Sequence, residues 1–439
     1  MIIDILNSDS DPAGRNIRKA IDLLTEENGK KEYPLYKNEV TFHTIPGRIV
    51  YAKKTDVNKD ADLIIVISRH SSVNPVPVLT VHATGNYGIA QLGGNDAELG
   101  LTSPAWMKSI LKNHEKFVPQ GYRISYEITH HGPTDFDAPF FFVEVGSTEK
   151  EWNDEKAYTA AAKSVLYAEP VTDCIPLIGF GGTHYAVRQT AIGLETKGAF
   201  GHIMHTRDTA NANADIVKQM ADKSGGITAA HIDKKSMSKS EAANIKNILD
   251  RLGIIEITEG DLHILNQMSY ETWKSFSKFS KDVKKDIRIF PHGNIDSGTP
   301  AIVKIPEELF NLTFFKDETL LFEKLDEIGG VFHSTTSSGK ILPIFFTAAE
   351  NQNDVSSYLI GFAVQQLTRT QDCLVEGDSI VVTRRQFDAG SARKTGVPSG
   401  PMYGILAAGK SVTLEDGRTI TPEMVTKTIK TTIKIPGLE

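Results

Sequence analysis

The stretch Leu63-Ile64-Ile65-Val66-Ile67-Ser68-Arg69-His70 decides how the fold is read. Five consecutive apolar residues, four of them β-branched, lie between polar turns. That pattern fits a strand buried on both faces, as in the middle of a parallel or mixed sheet. The run then turns polar, and in such sheets ligands gather where strands reach their carboxyl ends. Upstream, residues 2–6 read as a strand, 12–27 as a helix with Ile17, Ile21 and Leu24 on one face, and 41–45 as a second strand. Downstream, strands are expected at 78–82, 122–130, 140–145 and 174–179, with helices at 104–114 and 151–168. Strands alternating with helices specify an α/β domain on a mixed or mostly parallel sheet flanked by helices.

Composition changes after about Tyr270. Residues 273–288 are polar and basic and read as a linker helix. Beyond them come strand-like pieces at 301–305, 312–315, 331–333 and 341–347, a helix at 355–367 and a strand at 379–383. The expected organisation is a catalytic domain over 1–270, a basic linker over 271–290 and an additional C-terminal α+β domain over 291–439.

With 40% apolar and 23% charged residues over 439 positions, the chain is globular in composition and long enough for more than one core. No apolar run approaches the roughly 18 residues of a membrane span. The acidic and serine-rich opening after Asp4 does not fit a secretory signal. Cys174 and Cys373 lie far apart and in no C-x-x-C pair, which excludes a disulfide framework and makes a cytoplasmic location the default. The net charge of −7 is unevenly spread. Residues 384–434 hold nine Lys/Arg against four Asp/Glu, a local +5 against −12 elsewhere. Such a patch can meet phosphates, although solvated lysine faces read the same way in a sequence.

Three segments concentrate catalytic groups. The first is Ser68-Arg69-His70, followed by Val81-His82 and Gly85-Asn86. The second is His130-His131-Gly132-Pro133-Thr134, with Glu144 and Ser147-Thr148 close behind. The third is Gly181-Gly182-Thr183-His184-Tyr185, with Arg188, His202 and His205. Seven of the 13 histidines fall here. Imidazole is both a common metal ligand and an acid/base near neutral pH. Singly, His70 or His82 at a strand end reads as a structural histidine. His130 and His131, as strand neighbours, would face opposite ways. No spacing matches H-E-x-x-H, so a metal is not specified locally. Clustering over several loops specifies a histidine-lined cleft. A bound metal would polarise an ester carbonyl and activate water, with Glu144 as ligand or base. Without one, a histidine would act as general base. Thr134, Ser147 or glycine N–H groups would hold the substrate. No G-x-S-x-G elbow is present.

These segments resemble the archaeal and plant type of D-aminoacyl-tRNA deacylase. The match is carried by Ser68-Arg69-His70, Leu79-Thr80-Val81-His82, His130-His131-Gly132-Pro133-Thr134, Glu144-Val145-Gly146-Ser147-Thr148, Gly181-Gly182-Thr183-His184-Tyr185 and Gly201-His202. The resemblance implies a fold like that of nucleoside phosphorylases and peptidyl-tRNA hydrolase. It also implies zinc, and release of a D-amino acid from the 3′ end of tRNA, with no membrane or DNA partner. On this reading His131, Glu144, His184 and Thr134 are the catalytic candidates. Arg69, Asn86, Ser147, Thr148, Gly181, Gly182, Arg188, Arg393 and Lys394 are the substrate-binding ones, and His82, His130, His131, His184 and His202 the metal ligands. Ala186-Val187 stands where the family has Ala-Pro, and Ser71-Ser72-Val73-Asn74-Pro75 departs from its usual glycine turn. In the tail, Gly396-Val397-Pro398-Ser399-Gly400-Pro401 is similar to a segment of tRNase Z, whose H-x-H-x-D-H motif is absent. It implies a tRNA contact. The rival readings are a metal-dependent small-molecule hydrolase, a nucleoside phosphorylase-like enzyme and a non-catalytic tRNA binder. Nothing in the sequence sets an oligomeric state.

Overall fold

A computed structural model describes residues 1–295, 297–314 and 318–435. The chain divides into two compact units, Met1–Asn266 and Gln267–Glu439.

The first unit contains strands β1 (Ile2–Ser8), β2 (Glu39–Ile45), β3 (Leu63–Arg69), β4 (Val78–His82), β5 (Arg123–Tyr126) and β6 (Phe140–Gly146) in one sheet of order β2-β1-β3-β6-β4-β5. β1, β2, β3 and β6 run parallel, while β4 is antiparallel to β6 and parallel to β5. The sheet is therefore mixed. β3 lies inside it, and Leu63–Ser68 are all buried, as an unbroken apolar run requires. Strands β7 (Ile175–Phe180), β8 (Gly198–Met204) and β9 (Ala229–Ile232) form a separate parallel sheet of order β8-β7-β9.

Helices α1 (Pro12–Asn28), α2 (Pro104–Phe117), α3 (Glu149–Trp152), α4 (Glu155–Leu166), α5 (Val187–Glu195), α6 (Ala214–Asp222), α7 (Lys239–Leu252) and α8 (Glu259–Leu265) accompany these sheets. α1 starts where expected because the Asp11 side chain accepts from Gly14 N–H and Pro12 fits the first turn. The single helix expected over 151–168 is two, broken at Asn153 and restarted by the Asp154 cap. Under α2, buried Lys108 donates to the carbonyls of Gly193, Thr196 and Gly198 at 2.6–2.8 Å. That gives each ammonium proton an acceptor and ties α2 to the turn between α5 and β8.

One departure shapes the site. The strand expected over 122–130 ends at Tyr126. Glu127 N–H still donates to Val81 O, but Ile128 N–H donates to His184 O and Thr129 N–H to Ile203 O. The chain thus leaves the large sheet and bonds to the segments around the small one. Local β-propensity persists to Thr129, and the tertiary hydrogen bonds override it.

In the second unit, helix α9 (Tyr270–Val283) occupies the expected basic linker. It is not a bare connector: Trp273 and Phe276 are buried, and Phe276 meets Phe332 at 4.9 Å between ring centroids. Strands β10 (Arg288–His292), β11 (Pro300–Lys304), β12 (Val331–Thr335) and β13 (Ile341–Ala348) form an antiparallel sheet of order β10-β12-β13-β11. The strand expected at 312–315 is corrected: Leu312 and Thr313 belong to helix α10 (Glu307–Thr313), because Phe310 and Phe314, four residues apart, both turn inward. Phe315 lies outside the described residues. Helices α11 (Glu318–Ile328) and α12 (Gln352–Thr370) precede β14 (Asp372–Glu376) and β15 (Ser379–Phe387). A small lobe with helices α13 (Ala389–Lys394) and α14 (Pro401–Ala407) and hairpin β16 (Val412–Thr413)–β17 (Thr419–Ile420) then returns the chain to β18 (Thr426–Lys434). It has its own core of Ala392, Val397, Leu406, Val412, Leu414, Ile420 and Val425. No helix of the described residues is long and apolar enough to cross a membrane.

Candidate active site

Strand ends of the large sheet and the loops facing it bring seven ligand-type side chains together. His70 follows β3, His82 ends β4, Glu144 lies in β6, and Glu127, His130 and His131 come from the segment beyond β5. His184 comes from the loop between β7 and α5.

His82, His130 and His131 form one group whose ligand atoms lie within 4.8 Å of one another. Each is anchored alike. His82 Nδ1 meets Ala83 O at 3.1 Å, His130 Nδ1 meets Ile128 O at 2.7 Å, and His131 Nδ1 meets Gly132 O at 2.7 Å. A carbonyl only accepts, so each Nδ1 carries hydrogen and each neutral ring keeps its lone pair on Nε2. Nε2 is then the nitrogen left for a metal, with the tautomer fixed by the surrounding backbone. Burial and the neighbouring imidazoles push His130 down, and burial first, then His82, pushes His131 down to about 4. Both rings are therefore neutral.

The expected divergence of His130 and His131 does not occur, because neither sits in regular strand. His131 has φ 43°, and the two rings lie 4.3 Å apart between centroids. The loop is held by close backbone contact: a Cβ on Gly132 would fall 2.2 Å from Gly94 N.

Glu127 is the member of the cluster that sequence reasoning missed. It is 1% exposed, and no described residue gives its carboxylate a well-formed hydrogen bond. His184 Nε2 nevertheless lies 2.8 Å from Oε2, His70 Nδ1 3.1 Å from Oε1, and His130 Nε2 3.6 Å from Oε2. Burial opposes its charge, but His70 and His184 hold it well below the usual carboxylate range. Glu144 accepts from Ser68 Oγ at 2.6 Å and lies 3.5 Å from His70 Nδ1 and 3.6 Å from His82 Nε2. Burial opposes its charge too, yet His70 and His82 keep it ionised. Burial would lower His70, but Glu127 and Glu144 outweigh it and lift the imidazole to about 11. Its Nε2 reaches Tyr185 Oη at 3.1 Å. Two buried carboxylates thus draw positive charge to the point where the imidazoles converge, and a dry interior tolerates such charges only when they are compensated. This donor set, three oriented imidazoles beside two buried carboxylates, fits a zinc-type ion.

Other predicted residues stand apart from this cluster. His202 is saturated, with Nδ1 against Thr129 Oγ1 at 3.1 Å and Nε2 against Gly100 O at 3.0 Å. Thr134 donates to Glu98 at 2.6 Å and accepts from Asn95 N–H, and Asn86 donates to Gly93 O and Asn95 O. Both brace the loop over 85–99. Thr148 caps α3 through a reciprocal box with Glu151. Gly182 N–H is taken by Ser236 and Thr206, and a Cβ on Gly181 would strike Ser236. Arg188 pairs with Glu259 and Asp233. Arg69 lies over Trp152, with its guanidinium 5.1 Å from the ring centre. Ser147 Oγ donates to Val76 O and lies 3.5 Å from Tyr185 Oη, at the margin of the site. Arg393 and Lys394 close α13 in the second unit.

A family model described as D-aminoacyl-tRNA deacylase matches residues 57–257, the span that holds all seven site residues. A curated relative from Methanocorpusculum labreanum, named D-aminoacyl-tRNA deacylase, is 63% identical over 100% of this chain and 99% of its own. The chain belongs to the D-aminoacyl-tRNA deacylase family. Shorter deacylases occur in this family. A relative of that name from Methanosarcina mazei is 37% identical and has 93% of its length matched by 59% of this chain. A crystal structure of a conserved protein of unknown function superposes with a TM-score of 0.53 at 28% identity, covering 60% of this chain and 96% of that one.

Proposed function

We propose that the chain hydrolyses the ester joining a D-amino acid to the 3′ end of tRNA, as its family's name describes, at the cluster around Glu127. The observation that carries this reading is the shared anchoring of His82, His130 and His131 through Nδ1, in a group whose ligand atoms lie within 4.8 Å of one another beside two buried carboxylates.

His82, His130 and His131 would hold zinc, which when bound supplies Lewis-acid polarisation of the ester carbonyl and a water that ionises near neutral pH. The protein's own groups do the rest. Glu127, 2.8 Å from His184 Nε2, favours the tautomer with hydrogen on Nε2, which leaves His184 Nδ1 to accept a proton from water. His184, 34% exposed at its side chain, can face an incoming ester. Glu144, fixed by Ser68, stabilises positive charge on His70. Tyr185, held by His70, offers a hydroxyl at the mouth of the site.

The test is release of amino acid from D-tyrosyl-tRNA and L-tyrosyl-tRNA before and after chelation and zinc add-back. Release from the D ester, lost on chelation and regained with zinc, is the expected result. D-selective release that survives thorough chelation would leave histidine base catalysis, and no release from either ester would remove the deacylase reading.

A further inference from the structure

The chemistry sits in the first unit, and a relative bearing the deacylase name matches little more than a chain of that size. The second unit therefore has other work to do. Its sheet of order β14-β15-β18 has one covered face, where Ile380, Val382 and Ile433 join a core with Ala363 and Leu367 of α12. The antiparallel register pairs Arg385 with Thr428, Thr383 with Lys430, and Ser379 with Lys434. Strand alternation places Thr383, Arg385, Thr428, Lys430, Thr432 and Lys434 on the opposite face. All except half-buried Thr383 are exposed.

On β15 and β18 this face carries cations and no acid, whereas a common solvated surface interleaves both signs. Among the described residues, the ion pairs of the tail are Arg418–Asp416 and Lys427–Asp388, and neither involves Arg385, Lys430 or Lys434. Glu423 feels the Arg385 charge without pairing with it. The acids of the sheet's outer face, Asp372 and Glu376, lie on β14, on the far side of β15 from β18. Lys430 and Lys434 are about 13 Å apart along an extended strand, with threonine hydroxyls between and beside them. Cations and neutral donors in a rigid row over that distance suit successive charges of a polyanion better than one small anion.

We infer that the outer face of β15 and β18 docks the phosphate backbone of the tRNA whose 3′ end the first unit deacylates. The inference rests on the deacylase reading for the identity of the polyanion. It concerns residues distinct from the loop of α13 and α14.

The test uses the full-length protein carrying Arg385→Gln, Lys430→Gln and Lys434→Gln together, with uncharged tRNA titrated at several salt concentrations. Exposed strand positions accept glutamine without loss of core contacts. Affinity is expected to fall about tenfold, and the slope of log K against log salt to shrink by about 2 to 3, as for three lost phosphate contacts. An unchanged affinity and slope would overturn the inference and leave the face to a protein partner. So would an equal loss on neutralising Lys31, Lys156 and Lys239 of the first unit, since the effect would then be one of net charge. Hydrolysis of D-tyrosyl-adenosine by the unaltered protein tests the deacylase reading separately. Failure there, with tRNA affinity still dependent on the three cations, would sink the activity and keep the surface.

Discussion

His131 and His184 look alike in sequence, each in a glycine-bounded loop, but the proposed mechanism gives them different duties. His131 presents Nε2 as part of the three-imidazole group, whereas His184 leans on Glu127. His131→Ala is therefore expected to lose bound zinc together with activity. His184→Ala should keep its zinc while kcat falls by about 10²–10⁴, the usual worth of a general base. Metal content measured on both purified variants separates the two duties; equal loss of zinc in both would place His184 among the ligands. Glu127→Gln tests the same pair from the other side. A neutral amide cannot stabilise a protonated His184, so kcat should fall by a similar factor, with KM much less affected. Unaltered kcat in Glu127→Gln would remove the dyad.

At the scale of elements, the site depends on the way a short loop is pinned. Gly132 lies against Gly93 and Gly94 so closely that a methyl group would meet backbone atoms at 2.2–2.8 Å. Neither loop can yield freely. Asn86 ties 93 and 95, and Thr134 ties 95 and 98. Gly132→Ala is expected to displace His131, whose Nδ1 is held by the Gly132 carbonyl. The outcome should be a loss of zinc affinity of about 10–100-fold, the range for damage to groups that orient a ligand. Zinc titration of the purified variant measures it, and wild-type affinity would show that the loop relaxes without moving the imidazole. Thr134, read from the sequence as a catalytic candidate, and Asn86, read as a substrate group, both spend their side-chain hydrogen bonds on bracing this loop.

Across the whole molecule, several histidines outside the cluster are locked in the neutral form. Burial first of all pushes His114, His231 and His333 down to about 4. An unfolded histidine titrates near 6.5, so between about 6.5 and 4 the unfolded chain binds protons that the folded chain refuses. Stability is therefore full above about pH 6.5 and falls as pH drops toward 4, by about 1.4 kcal/mol per pH unit for each such group. Urea midpoints at pH 7, 6 and 5 should decline progressively, and a flat profile would contradict the neutral burial of these rings. His231→Gln should lessen the decline between pH 6.5 and 5, because one of the refusing groups is gone.

How much of this was legible in the sequence follows from which interactions are local. The unbroken apolar run at 63–67 declares a buried strand because five adjacent residues suffice to define two dry faces. The alternation of strands and helices declares the α/β class for the same reason. The motif loops declare the family, since residues such as His130-His131-Gly132-Pro133-Thr134 are contiguous in the chain. Tertiary structure alone decided what those residues do. Glu127 sits in a stretch with ordinary strand propensity, and only the hydrogen bonds of Ile128 to His184 and of Thr129 to Ile203 turn the chain out of the sheet there. His202 has the same side chain as the ligands but finds both its nitrogens satisfied. His130 and His131 converge because His131 takes a positive φ that Gly93, Gly94 and Gly132 can pack around. A sequence fixes which side chains are available and the period with which they face a surface. Convergence of imidazoles and carboxylates from five separate segments depends on strand order, register and loop closure, and those are set by contacts between residues far apart in the chain.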